Sequence, residues 1–304
     1  MKAADVKKGK RKNHYQLWLM ALPAIVYFLV FCYAPMYGVT IAFKDFNAAK
    51  GIWGSPWVGF EHFKQFFASY QSVRLIKNTL VISGMSLIFG FPFPIILAML
   101  LNQTRNLKFR KAVQTITYAP HFISVVVMCS MIILFLSPSS GFINHIISAF
   151  GGEKINFMAK PGLFPAVYII SGIWQNMGWS AVIYIAALAA VDPSLYEAAK
   201  MDGAGKLQLI RYIDIPSIMP TAVIMLIMNA GSLMNVGFQK AFLLQNDLNI
   251  AASEIISTYT YKIGLVKADY SYSAAIGLFN TIVNIILLVS VNKISKKVTE
   301  TSLW

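Results

Sequence analysis

The chain is 304 residues long, 57% hydrophobic and only 12% charged, about half the charged share of a soluble domain, so a water-soluble globule of this size is excluded for want of polar surface. The formal charge of +14, from 26 Lys and Arg against 12 Asp and Glu, would by itself suit a nucleic acid or a membrane. Cys32 and Cys129 both lie in apolar stretches and offer neither a disulfide framework nor a zinc site.

Six runs without a charged residue set the fold class: an all-α membrane protein with six transmembrane helices. Crossing about 30 Å of hydrocarbon takes about 20 apolar residues. Leu17 to Phe43 is the first run, with Pro23 and Pro35 placed to kink it. Asn78 to Thr104 is the second. Ala112 to Gly152 is too long for one span, and the cluster Ser137-Pro138-Ser139-Ser140-Gly141 stops its helix near Leu136. Pro161 to Val191, Ser217 to Gln239 and Tyr270 to Asn292 complete the set. The expected spans are therefore about 17–43, 78–104, 112–136, 163–191, 217–239 and 271–292.

Charge placement gives the orientation. Sixteen Lys and Arg fall in the 64 residues of segments 1–16, 102–111, 192–216 and 292–304. Ten fall in the 95 residues of segments 44–77, 137–162 and 239–273. By the positive-inside rule the first group is cytoplasmic, and with it both termini: a basic segment 1–16 and a tail 293–304. The positive charge is then topology, and a nucleic-acid partner loses its support. In the outer segment 44–77, Trp53, Trp57, Phe60, Phe63, Phe66 and Phe67 with Lys64 and Arg74 read as an interfacial anchor in the lipid or as a docking surface.

The runs lack chemistry. No Asp, Glu, Lys or Arg lies well inside one, which argues against a proton-driven carrier, although sodium coupling through backbone carbonyls stays open. His14, His62, His121 and His145 form no H-E-x-x-H pair. Gly203-Ala204-Gly205-Lys206 imitates a phosphate loop, but Leu207 stands where Ser or Thr is required and no strand precedes it. Neither nucleotide nor metal is expected on this chain; if it serves transport and that transport is energised, the energy comes from another subunit.

Segment 192–216 carries the one specific motif. Asp192 with Pro193, or alternatively Ser194 with Glu197, caps a short helix. Ala198 and Ala199 give it a slim face, Gly203 and Gly205 permit a sharp turn, and a second helix runs to Pro216 at the start of the fifth span. The order Glu197-Ala198-Ala199, Asp202-Gly203-Ala204 and Ile213-Asp214-Ile215-Pro216 resembles the E-A-A-x-x-D-G-A … I-x-L-P loop of binding-protein-dependent ABC importer permeases, with Ile215 for Leu. Phe43-Lys44-Asp45-Phe46 and Thr117 to Ser124 resemble segments of the maltose-type carbohydrate-uptake group, nearest to permeases for complex oligo- or polysaccharides. The resemblance implies a permease that pairs with a second, homologous permease, two cytoplasmic ATPases that hold ATP and Mg, an external solute-binding lipoprotein and a carbohydrate. It implies that the loop docks in a cleft of the ATPase, with Glu197 as the charged contact, Ala198 and Ala199 as the packed face and Gly203 as the bend.

A neutral sugar is gripped by aromatic stacking and by hydrogen bonds to its hydroxyls. Tyr118 and His121 are three residues apart, Gln175 and Trp179 four apart with Asn176 beside them, and Asn229, Ser232 and Asn235 repeat at three, each set on one helical face. In maltose-type permeases the sugar contacts come from these three spans, so the resemblance makes Tyr118, His121, Gln175, Asn176, Trp179, Asn229 and Asn235 the candidate substrate path. The alternative for each is hydrogen bonding between helices.

Overall fold

The computed structural model describes residues 15–299 and 301–303; the basic segment expected over residues 1–16 lies almost wholly outside them. The described residues are nearly all helical, apart from an isolated antiparallel bridge between Lys44 and Trp57. Four helices are long and apolar enough to cross a bilayer: Leu17–Phe43, Tyr70–Asn102, Lys206–Gly231 and Tyr270–Thr299. Two bent pairs, Leu107–Phe122 with Val125–Phe135 and Pro161–Ala189 with Pro193–Met201, make six if each counts as one span.

The 26-residue helix Phe164–Ala189 is the centre of the bundle. It packs against Tyr70–Asn102, Leu107–Tyr118 and Ile215–Gly231. Contact with Leu107–Tyr118 is close because Gly178 has no side chain: a Cβ there would stand 2.1 Å from the Thr117 carbonyl oxygen. Small residues at helix crossings let backbones approach, which in lipid supplies the packing that the hydrophobic effect does not. Ala98, Ala181 and Ala222, all buried, continue that logic toward one end of the bundle around Tyr184, Leu188 and Ile218. Phe66, Leu75, Ile256, Tyr272 and Ile276 fill the opposite end. By contrast, the first span is clad in exposed Trp18, Leu22, Phe28 and Phe31. In water such a surface would aggregate; in hydrocarbon it is the proper solvent-facing coat.

The third run is not the straight span over 112–136 that its composition predicts. It turns by 100° between Phe122 and Val125. Pro120 supplies no N–H to the helical ladder, Ile123 is extended, and Ser124 starts a new helix by accepting a hydrogen bond from the Val127 amide at 3.3 Å. The fifth span also differs: its helix begins at Lys206 and ends at Gly231, short of Gln239. The outer aromatic stretch is only partly an anchor. Trp53, Trp57 and Phe60 are exposed, but Phe66 is buried against Tyr272 and Phe279 and belongs to the core.

Candidate functional site

The motif of segment 192–216 folds as an elbow. Asp192 caps the helix Pro193–Met201 by accepting from the Ser194 amide at 2.9 Å, which decides between the two capping schemes. This bond holds the Asp192 carboxyl below its ordinary range. At the far end the amides of Asp202, Gly203 and Ala204 return to the carbonyls of Ala198, Lys200 and Ala199. Gly203 takes φ of +82°, a conformation that side chains resist. Gln208 then caps the next helix by accepting from the Gly205 amide at 2.7 Å. That helix runs without interruption through Pro216 to Gly231, so the elbow and the fifth span are one rod.

Glu197, Ala198, Asp202, Gly203 and Pro216 are exposed, and Ala199 and Ala204 are half-buried. Apolar Leu195, Met201, Leu207 and Tyr212 stand out beside them, 53% to 84% exposed. A groove of about 290 Å³ lies in the crook of the elbow, lined by Ala199, Gly203, Ala204 and Tyr212 among others. A slim, partly apolar helix with one acidic residue at its face is the kind of surface a protein cleft can receive.

Beneath it lies a group that sequence reasoning passed over. Asp214 is completely buried. Its Oδ1 accepts from the Tyr196 hydroxyl at 2.6 Å and from Asn102 Nδ2 at 3.0 Å, and its Oδ2 from Gln103 Nε2 at 2.7 Å. Tyr196 belongs to the elbow helix, Asn102 and Gln103 to the end of the second span, and Asp214 to a π-helical turn that leads into the fifth. Burial first, and then the hydrogen bond to Asp214, push the Tyr196 phenol up to about 12, so it remains a donor. The elbow is thus pinned to two spans at once. The available signal was a carboxylate inside the apolar run Ile213-Asp214-Ile215, which has to find donors.

The candidate path residues divide. Gln175, Asn176, Trp179, Asn229 and Asn235 all line one cavity of about 680 Å³ between the fourth and fifth spans. Asn235 lies beyond the end of the fifth helix, so it does not share a helical face with Asn229; a turn brings it there. Its Oδ1 accepts from Asn280 and Asn284 of the last span. Gln175 is buried, and its amide donates to the Ile123 carbonyl at 3.1 Å, closing the bend in the third run. His121 is not among the lining residues, but its ring stacks on Trp179 at 4.8 Å and 2° and its Nδ1 lies 3.1 Å from Asn176 Oδ1. Tyr118 is half-buried and is not among the lining residues either. Asn176, Trp179 and Asn229 keep substantial exposed surface, which suits an aromatic platform and amides available to a ligand.

Residues 90–300 match the family of the binding-protein-dependent transport system inner membrane component. The polygalacturonan/rhamnogalacturonan transport system permease protein YteP of Bacillus subtilis is 44% identical over 99% of this chain and 96% of its own length. Protein LplB of the same organism is 41% identical, over 96% of this chain and 92% of its own. A chain of the bacterial alginate ABC transporter, solved in complex with an alginate pentasaccharide-bound periplasmic protein, superposes with a TM-score of 0.88 at 40% identity, covering 95% of this chain and 96% of that one. This chain belongs to the binding-protein-dependent transport system inner membrane component family, and is thus a transport subunit of the bacterial plasma membrane.

Proposed function

We propose that this chain forms half of the translocation path of an ATP-driven importer for carbohydrates, either oligosaccharides or polysaccharide fragments. In this reading a second, homologous permease completes the path, two cytoplasmic ATPases carry ATP and Mg, and an extracellular solute-binding lipoprotein delivers the sugar. This chain itself binds no cofactor. Both termini are placed in the cytoplasm, with the permease domain over residues 17–292 and the elbow 192–216 on the same side.

The observation that carries the reading is the elbow: an exposed helix bearing Glu197, Ala198 and Ala199, tied through Asp214 to the second and fifth spans. Whatever moves that helix moves two walls of the bundle. Asp202, Gly203 and Ala204 shape the bend, and Pro216 stands at the start of the fifth span's apolar part. The cavity, with Trp179 and His121 stacked at its side, supplies ring-stacking and amide chemistry without a carboxylate among its lining residues.

Purification of the chain from its native membrane in gentle detergent, with mass spectrometry of what accompanies it, tests the assembly. Recovery of a P-loop ATPase and a second six-span protein is expected. Glu197→Arg should remain inserted, lose the ATPase and stop sugar uptake. A chain recovered alone at every detergent strength, or normal uptake by that variant, overturns the assignment.

A further inference from the structure

Lys240 is the charged group of the cavity that the coupling reading leaves unused. It sits on the short helix Phe238–Leu244 and is only 8% exposed. Its Nζ donates to the Tyr168 carbonyl at 2.6 Å and stands 4.4 Å from the centre of the Tyr168 ring. The ammonium reaches that place because Gly172 has no side chain; a Cβ there would come within 3.2 Å of Nζ.

No ion pair involves Lys240 among the described residues, and no Asp or Glu lines its cavity. Of the two carboxylates buried among the described residues, Asp214 is held by Tyr196, Asn102 and Gln103, and Glu254 is committed to Arg74 and Lys262. An ammonium carries three N–H donors, and the carbonyl takes one. A buried cation is costly when no counter-charge faces it. Here the counter-charge has to come from outside the described residues, and the cavity that opens on it also offers Asn176, Trp179 and Asn229. Aromatic and amide groups suit sugar rings and hydroxyls, and the ammonium suits an acid group on the same molecule.

We propose that Lys240 is an anion-selecting contact in the translocation cavity, where it pairs with the carboxylate of an acidic saccharide of the uronate class. The proposal rests on the reading of the cavity as a sugar path. The competing role for Lys240 is a clamp that holds Phe238–Leu244 against Tyr168.

The complete transporter with its binding protein, reconstituted in liposomes, distinguishes them. The probes are a labelled short oligogalacturonate and its carboxyl-reduced, neutral counterpart. Wild-type protein should import the acidic probe, Lys240→Arg should keep most of that uptake, and Lys240→Met should lose at least about ten-fold, the size expected for one charge-assisted contact. The thermal midpoint of Lys240→Met should stay at the wild-type level. Undiminished acidic uptake by Lys240→Met overturns the proposal. So does a parallel fall in thermal midpoint and uptake for both variants, which identifies the clamp. Wild-type import confined to the neutral probe also overturns it while leaving the sugar importer intact. Import of neither probe removes the saccharide reading along with it.

Discussion

Tyr196→Phe tests the pin between elbow and spans with the least disturbance. The substitution keeps the ring and removes one hydroxyl, which donates to the fully buried Asp214 at 2.6 Å. A hydrogen bond to a charged group is worth about 1.5–3 kcal/mol. Asn102 and Gln103 continue to serve the carboxylate, so the loss is confined to the elbow's side of the joint. Because each 1.4 kcal/mol is a factor of ten, opening of the elbow helix should become roughly 10- to 150-fold more frequent. Hydrogen exchange of the amides over 195–202, read by mass spectrometry on the assembled transporter, measures that factor directly. Sugar imported per ATP hydrolysed should fall in parallel, since a loosened elbow moves without its spans. Unchanged exchange together with an unchanged import ratio refutes the reasoning: Asp214 would then be held by the two amides alone.

Gly178→Val should prevent assembly, because a Cβ at 2.1 Å from the Thr117 oxygen forces two helices apart, whereas Gly90→Ala, whose Cβ would meet Ile173 at 3.9 Å, should express normally; membrane yield compares them. Gly203→Ala places a side chain at φ of +82° and should cost about 1–2 kcal/mol in the elbow, visible as faster exchange over 199–205. Gln175→Leu removes the donor that satisfies the half-buried Ile123 carbonyl at the 100° bend, a loss of about 1 kcal/mol, and should lower the thermal midpoint of the complex. Burial pulls the Lys240 ammonium down to about 8, with Cys129 and Tyr168 the titratable groups that face it. Deprotonation above that value removes its charge, so uptake of an acidic saccharide should decline between about pH 7 and 9 in the wild type but not in Lys240→Arg, whose guanidinium stays protonated; a flat wild-type profile would contradict this.

Apolar runs and the order of residues in 192–216 were legible because each is a local property. A span needs only enough consecutive apolar residues to cover the bilayer, and the capped, glycine-bent elbow is written in neighbours three to five positions apart. The 100° bend was not legible from hydropathy, which treats 112–136 as uniform; its cause is Pro120 together with a donor, Gln175, that arrives from 52 residues away. The cavity was legible in part for the same reason. Asn176 and Trp179 reach it along one helix, but Asn235 arrives by a turn after the fifth helix has ended.

Charge is where local reading misleads most. Asp214 and Lys240 lie just outside the charge-free runs and Glu254 lies well between two of them, so by sequence all three count as loop residues in water. The fold buries all three, and their surroundings separate their roles. Glu254 has two cations and is a joint between the second span and the segment that follows Ser253. Asp214 has three neutral donors from two other elements, which makes it a hinge that is held by hydrogen bonds and can be loosened one bond at a time. Lys240 has a carbonyl and a ring face but no opposite charge. A structural salt bridge brings its partner with it; a buried charge with no partner among the described residues, on the wall of a cavity, is placed for a partner that comes and goes.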